Sequence, residues 1–247
     1  MDGDKTTLVM AGSREARGLI AGLLARNRRV IASLPEPERM FGALPVPTRV
    51  GGFAAPETLR DWLQENNVGT VMDASHAFDS HVTAMISKQS RSLALPYLRV
   101  LRPAWHATAQ DLWLDFTDIS TAAHKVPARA RVFSNTGWPT LPCYAGFKGT
   151  RLFMRQTHAP SHPAPFPFVE FVPGEPPFSQ IQEQNLFRDL GVSHLICRNV
   201  GGAASMSKLL AARKLGIPVL MVARAPLPHG IDVVETVAEA LAWEANT

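Results

Sequence analysis

Short apolar runs alternate with helical segments along most of this chain, and this alternation limits the folds that are available to it. Residues 6–11 form a β-rich run, and residues 14–25 follow with apolar side chains at helical spacing. The second half repeats the order, with a strand predicted at 194–198, a helix at 203–215 and a strand at 218–222. Alternation at this spacing predicts parallel, doubly wound sheets.

The pattern loosens between residues 96 and 127, where a short strand runs into a Trp-rich segment. We therefore place the domain connection there and predict two α/β domains, residues 1–115 and residues 116–247. The other predicted elements are strands over 29–33, 49–53, 68–73, 98–103, 131–134 and 151–154, an edge strand over 168–172, and helices over 56–65, 78–90, 180–190 and 231–244.

The composition excludes several classes of protein. Hydrophobic residues make up 46% and charged residues 19%, which is a globular balance, and no apolar run reaches the roughly 20 residues of a membrane-spanning helix. The first residues lack the basic and apolar regions of a signal peptide, so a cytoplasmic protein is expected. Cys143 and Cys197 have no CxxC spacing and the histidine pairs lack a third ligand, so neither a disulfide framework nor a metal site is predicted.

The basic residues indicate an anionic partner. The net charge is +4, and the chain has 19 arginines but only 6 lysines. Arginine binds carboxylates and phosphates through two parallel hydrogen bonds. The arginines are spread through the chain instead of clustering along one helix, which disfavours a nucleic-acid partner. A GC-rich genome also raises arginine over lysine, so the arginine count has a second explanation.

The turn after the first predicted strand is a candidate nucleotide site. Gly12, Ser13 and Arg14 lie where a parallel sheet presents helix N–H groups to a phosphate, although only one glycine of the G-x-G-x-x-G pattern is present. A tight turn without a ligand explains this motif equally well. After the second strand, Ser33 and then Arg39 stand where an NAD site has an acidic residue, which favours the 2′-phosphorylated cofactor.

The turn that closes the fourth predicted strand carries three polar side chains, Asp73, Ser75 and His76. A carboxylate, a hydroxyl and an imidazole at the ligand edge of a parallel sheet suit acid–base chemistry or hydrogen bonding to a cofactor. Asp73 and Ser75 could equally serve only to cap the next helix.

Two later motifs are candidate ligand sites. Asn199, Gly201 and Gly202 follow a predicted strand and open a helix, so they form either a second anion cradle or only a turn. Arg102 and Trp105 join a cation to an aromatic ring beside the domain connection, which suits a flat, acidic ligand or simple packing at a hinge.

Five stretches of the chain, in order, match the pattern of one known family. They are Ala11-Gly12-Ser13-Arg14-Glu15-Ala16-Arg17, Gly51-Gly52-Phe53, Asp73-Ala74-Ser75-His76-Ala77-Phe78, Arg102-Pro103-Ala104-Trp105, and Arg198-Asn199-Val200-Gly201-Gly202 with Lys208, Ala211 and Ala212. In these stretches the chain resembles the precorrin-6A reductases of cobalamin biosynthesis. Three positions depart from the family pattern, since Ala77 replaces a proline, Val200 a serine and Arg198 a lysine.

The resemblance implies two Rossmann-like parallel-sheet domains that face a cleft. It also implies an NADPH-dependent reduction of one carbon–carbon double bond of precorrin-6A, giving precorrin-6B. The N-terminal domain would bind NADPH, and the C-terminal domain would complete the site for the acidic tetrapyrrole.

The turns described above and the resemblance together assign the site residues. Those assigned to the cofactor are Gly12, Ser13, Arg14, Ser33, Arg39, Gly52, Asp73, Ser75 and His76. Those assigned to the substrate are Arg102, Trp105, Arg198, Asn199, Gly201 and Gly202. Asp73, His76 and Lys208 are the candidates for a catalytic role, and none of them is assigned as the proton donor.

Two other functions stay open. One is another NADP-dependent oxidoreductase of the Rossmann type, although Tyr97 and Tyr144 lack the lysine four residues further on that short-chain dehydrogenases have. The other is a non-catalytic NADPH-binding module, which would bind the cofactor while no acceptor would oxidise it.

Overall fold

The computed structural model describes residues 5–37, 42–157 and 162–247. The strands in this part of the chain are β1 Thr6–Met10, β2 Arg29–Leu34, β3 Thr48–Val50, β4 Val68–Asp73, β5 Tyr97–Val100, β6 Trp113–Phe116, β7 Arg131–Ser134, β8 Arg151–Gln156, β9 Val169–Pro173, β10 His194–Arg198, β11 Val219–Val222 and β12 Asp232–Val234. The α-helices are α1 Arg14–Ala25, α2 Pro56–Glu65, α3 Ser80–Ser92, α4 Ile119–Lys125, α5 Gln180–Asp189, α6 Ser207–Leu215 and α7 Val237–Ala245, and short 3₁₀ helices span Trp138–Tyr144 and Ala203–Ser205.

The chain divides into two compact units. The first contains residues 1–103 together with residues 225–247, and the second contains residues 104–224. The sequence predicted a single boundary between residues 115 and 116. The division differs because the C-terminal segment returns to the first unit, where β12 pairs with β5. The predicted boundary falls inside β6, and this strand pairs with β11 in the second unit.

The sheet of the first unit is parallel, with the strand order β12-β5-β4-β1-β2-β3. Its first strand therefore lies between the second and the fourth, which is the order of dinucleotide-binding folds. Both faces of the sheet are covered: Val9 packs with α1 and α7, whereas Leu8 and Met10 pack with α2 and α3 on the opposite face. This burial on both faces explains why Leu8, Val9 and Met10 are all apolar.

The helices of the first unit follow from their apolar spacing. In α1 the buried residues Ala16, Leu19, Ile20 and Leu23 recur at three- and four-residue intervals, so one face meets the sheet. α2 begins at Pro56, whose missing N–H costs nothing in the first turn of a helix. These elements carry the turns at the carboxyl edge of the sheet.

The second unit repeats the strand order of the first, as β6-β11-β10-β7-β8-β9. β7 lies between β8 and β10, all in parallel, and β9 forms the predicted edge strand. The prediction of two parallel-sheet α/β domains is thus confirmed. In each sheet the sixth strand comes from outside the uninterrupted run of five: β12 follows the second unit in the chain, and β6 precedes β7.

Two local predictions were wrong. The helix predicted over 231–244 contains β12 in its first part, and α7 begins only at Val237. β6 and α4 lie in the segment that the sequence pattern left as a domain connection. β6 and β12 are edge strands with mostly exposed residues, so they lack the buried apolar run that marks the equally short β7 and β11, and only their pairing partners identify them.

The described helices include none that is both long enough and apolar enough to cross a membrane. Within the described ranges there is also no group of three or more His, Cys, Asp or Glu side chains placed to hold a metal ion.

Candidate functional site

The turn after β1 comes very close to the turn after β4. Gly12 has a φ of +150°, and a Cβ at this position would lie 2.9 Å from the backbone nitrogen of His76. Ser13 occupies the N-cap position of α1, but its hydroxyl does not cap the helix; it donates a hydrogen bond of 2.8 Å to the Ala74 carbonyl. The approach requires glycine, and the serine fastens the two turns together.

Cationic side chains surround the N-terminus of α1. Arg14, the first helical residue, is exposed. Arg102, which follows β5, forms an ion pair of 3.4 Å with Glu15 in the first turn of the helix. Arg102 was predicted to contact the substrate, but the structure places it here, where it offsets the one carboxylate of that turn. The helix N-terminus therefore remains a favourable position for an anion.

Asp73 lies at the end of β4 and is 0% exposed. Its Oδ2 accepts hydrogen bonds from the Thr83 hydroxyl at 2.7 Å and the Tyr97 hydroxyl at 2.8 Å. Its Oδ1 accepts from the Ser75 backbone N–H at 3.0 Å and from Arg99 Nη1 at 2.9 Å. A carboxylate that is buried with four donors has no surface for a ligand, so we assign Asp73 a positioning role in the turn.

Arg99 is a residue of this site that the sequence reasoning missed. It is 1% exposed, and its Nη1 donates to the carbonyls of Asp73 and Ser75 and to the Ser75 hydroxyl, at 2.9, 3.2 and 3.1 Å. Burial, reinforced by the Asp73 carboxylate, raises the pKa of the neighbouring Tyr97 phenol well above its usual value. An arginine in strand β5 gives no local signal, because its partners come from the end of β4 and from the turn that follows it.

His76 is the most accessible member of the Asp73-Ser75-His76 cluster. Asp73 and Ser75 are buried, whereas His76 is half-buried. The Nδ1 of His76 accepts a hydrogen bond of 3.2 Å from the Phe78 backbone N–H. With Nδ1 acting as acceptor, a neutral imidazole carries its proton on Nε2. The structure thus brings the three predicted residues together, and His76 is the most exposed of them.

A pocket of about 120 Å³ opens beside these turns at the carboxyl edge of the first sheet. It joins the ends of β1, β2 and β3 to the start of α3, and its walls are mainly apolar. The lining residues are Met10, Ala11, Ser33, Pro35, Gly51, Gly52, Phe53, Ser75, Asp79, His81, Val82 and Met85. The predicted cofactor residues Ser33, Gly52 and Ser75 are therefore brought together here, whereas Arg39 lies outside the described residues.

The glycine turn after β10 is built around Asn199 and Trp105 in the second unit. The Asn199 side chain accepts from the Trp105 backbone N–H at 2.8 Å and donates to the Trp105 carbonyl at 2.9 Å. The Trp105 indole N–H donates to the Gly202 carbonyl at 2.9 Å, and the residue is only 7% exposed. Trp105 was predicted as a surface for a flat ligand, but this burial makes it an anchor for the turn.

Two glycines and one lysine complete this turn. Gly201 and Gly202 have φ values of +69° and +78°, a conformation that glycine adopts without strain. Lys208 is buried, and its Nζ donates a 2.6 Å hydrogen bond to the Ser205 carbonyl. Arg198 is the last residue of β10 and is half-buried at the carboxyl edge. Of the predicted substrate residues in the second unit, Arg198 is thus the one with an accessible charged side chain.

The carboxyl edge of the second sheet also carries groups that sequence reasoning did not select. Trp138, which follows β7, stacks on Phe171 of β9 with ring centroids 5.2 Å apart, and both rings are partly exposed. Asn135 Oδ1 and Gln156 Nε2 are buried without a hydrogen-bond partner among the described residues. A flat aromatic surface beside unsatisfied amide groups suits a planar ligand with polar substituents.

Comparison with known proteins gives one consistent family. A family model described as "Precorrin-6x reductase CbiJ/CobK" matches residues 6–245. The chain is 30% identical over 240 residues to a precorrin-6A reductase of Rhodobacter capsulatus, covering 97% of this chain and 95% of that protein. It is 34% identical over 245 residues to a precorrin-6A reductase of Mycobacterium tuberculosis, covering 97% of both chains. A solved structure described as "CobK precorrin-6A reductase" superposes with a TM-score of 0.88 at 30% identity, covering 98% of this chain and 96% of that one.

Proposed function

Because the chain belongs to the precorrin-6x reductase family CbiJ/CobK, we propose that it reduces precorrin-6A with NADPH as the hydride donor. The protein is an oxidoreductase of cobalamin biosynthesis, and its activity is that of a precorrin-6A reductase. The observation that carries this function is the family match along nearly the whole chain. The choice of NADPH and the site residues rest on the chemistry of the two sheet edges.

The donor set at the first sheet edge fits a dinucleotide. Gly12 has no side chain at the point where the two turns meet, and the Ser13 hydroxyl is used elsewhere, so the first N–H groups of α1 are not capped by that side chain. Arg14 adds a positive charge at the same helix end. We assign Gly12, Ser13 and Arg14 to the cofactor phosphates, because this arrangement favours a pyrophosphate.

NADPH supplies a hydride when it is bound, and the reduction of a carbon–carbon double bond also needs one proton. His76 is held by the Phe78 N–H and keeps accessible surface at the turn after β4. We therefore prefer His76 to Asp73 and Lys208 as the group that could hold this proton. Asp73 and Arg99 keep the His76 turn in place.

The second sheet edge is the proposed substrate side. Precorrin-6A is a flat tetrapyrrole edged with acetate and propionate groups, so it needs an aromatic surface and polar or cationic partners. Trp138 and Phe171 supply the rings, and Arg198 supplies a positive charge. Asn135 and Gln156 supply the amide groups. These residues refine the predicted substrate set, in which Trp105 held the aromatic role.

Anaerobic mixing of the purified protein with NADPH and precorrin-6A tests the proposal. We expect the nicotinamide absorbance and the macrocycle spectrum to change together, with a product heavier by two hydrogens. NADPH alone and precorrin-6A alone are the controls. Tight binding of NADPH without turnover would contradict the reductase proposal and favour a binding module, and turnover of another acceptor would favour a different Rossmann oxidoreductase.

A further inference from the structure

Arg49 lies directly opposite Ser33 at the carboxyl edge of the first sheet. The register of β2 and β3 pairs Ser33 with Arg49 and Leu34 with Val50. Residues that are paired across neighbouring strands point to the same face of the sheet. Ser33 lines the pocket described above, so Arg49 belongs to the same edge and the same face.

The guanidinium of Arg49 is held in place by its own turn. Nη1 donates to the Gly51 carbonyl, and Nη2 donates to the Gly52 carbonyl at 2.8 Å. The same guanidinium lies over the Phe53 ring, 3.7 Å from its centroid. Gly51 has a φ of +111°, which permits the tight turn that brings these carbonyls back to the arginine. Arg49 is therefore a fixed cation beside Gly51, Gly52 and Phe53, all of which line the pocket.

The fixed guanidinium keeps donors for an anion. It has five N–H groups, and the two carbonyl contacts use one on each terminal nitrogen. Arg49 is half-buried, so the remaining donors are not sealed from solvent. A guanidinium that is already oriented loses little freedom when it binds a phosphate in two-point fashion.

We propose that Arg49 binds the 2′-phosphate of the cofactor and sets the preference for NADPH over NADH. This proposal rests on the proposed use of NADPH. In this strand order the end of the second strand meets the adenosine ribose, and an acidic residue there binds the ribose hydroxyls of NAD. The second strand here ends with Ser33 and Leu34, and the side chain paired with Ser33 is a cation. Asp79 and His81 also line the pocket. Because the Asp79 carboxylate repels a phosphate, binding of the 2′-phosphate needs a fixed cation close to Ser33.

Calorimetric titration of the protein with 2′,5′-ADP and with 5′-AMP tests this assignment, because the two nucleotides differ only in the 2′-phosphate. We expect wild type to bind 2′,5′-ADP more tightly, and Arg49→Gln to weaken that binding by about tenfold or more while 5′-AMP affinity stays the same. Arg49→Lys should recover part of the loss, since it keeps the charge without the planar fork. Lys88→Gln, on the exposed surface of α3, is the control with the same change in charge.

Each other outcome overturns the assignment in a recognisable way. An equal loss of affinity for both nucleotides in Arg49→Gln would show that Arg49 only supports the turn. Unchanged 2′,5′-ADP affinity in Arg49→Gln, with a loss in Arg39→Gln, would transfer the role to Arg39. Equal binding of both nucleotides by wild type would refute the 2′-phosphate site yet leave a reductase intact, whereas binding of neither would refute the proposed cofactor itself.

Discussion

Asp73 and Arg99 form an ion pair of 2.9 Å whose side chains are 0% and 2% exposed. Removing two charges from water costs several kcal/mol each, and their attraction offsets this only when further hydrogen bonds satisfy them. Here Thr83, Tyr97 and the Ser75 backbone complete the carboxylate, and carbonyls of the turn accept from the guanidinium. The pair therefore holds the turn after β4 in one conformation. This turn carries the Asp73-Ser75-His76 cluster that was predicted from the sequence as a candidate site.

Replacement of Arg99 tests this role. We expect Arg99→Met to lower the free energy of unfolding by about 3–5 kcal/mol, because Asp73 would remain buried without its cationic partner. Tyr97→Phe removes one hydrogen bond to the same carboxylate and should cost about 1 kcal/mol. Urea unfolding measures both changes. If Arg99→Met cost no more than Tyr97→Phe, the buried ion pair would not be what stabilises the turn.

The close approach of two turns is the feature that matters at the scale of elements. The turn after β1 can lie against the turn after β4 only because Gly12 lacks a side chain. β1 and β4 are neighbours in the sheet, with Met10 paired to Asp73, so the turns that follow them leave the same edge. The helix N-terminus and the Asp73-Ser75-His76 cluster are adjacent for this reason.

Gly12→Ala should destabilise the protein by about 1–3 kcal/mol, because the new Cβ would meet the His76 backbone nitrogen at a φ that disfavours L-residues. We also expect weaker NADPH binding, since the two turns would have to separate. Gly52→Ala is the matched control for stability: its Cβ would meet nothing within 4 Å and its φ is not positive, so the change should stay within about 0.5 kcal/mol. Thermal unfolding and NADPH titration measure these effects, and equal stability of the two variants would contradict the argument.

Two chain crossings define the architecture of the whole molecule. The chain leaves the first unit after residue 103 and returns at residue 225, so the first sheet is complete only when β12 pairs with β5. α7 then packs on α1, where the side chains of Val237 and Leu241 approach Gly18 and Gly22. The last 23 residues therefore belong to the folding of the first unit.

Truncation after Arg224 should selectively destabilise the first unit. Loss of β12 and α7 would uncover the edge of β5 and one face of α1, so amide hydrogen exchange should accelerate in Tyr97–Val100 and Arg14–Ala25. β10 and β11 pair within the second unit and should keep their protection. Removal of only Asn246 and Thr247 is the control. Unchanged protection in β5 after the longer truncation would show that β12 does not stabilise the sheet.

The sequence by itself determined the class of fold and the positions of the ligand-bearing turns. Periodicity is local, so β1, α1, β4 and the turns at Gly12, Asp73 and Gly201 could be recognised from residues close to them in the chain.

Only the tertiary structure decided which strands complete each sheet and which polar groups meet. β12 and β6 are mostly exposed edge strands, so neither has a buried apolar run that could be recognised in the sequence. The role of Arg99 depends on its contact with Asp73 in another strand, and the role of Arg49 depends on its register with Ser33. The sequence left Trp105 as either a surface for a flat ligand or a packing residue, and its hydrogen bonds with Asn199 and Gly202 favour packing. Such pairings join residues that are far apart in sequence. These groups become buried and paired only when the sheets form, so the local sequence does not reveal the pairings.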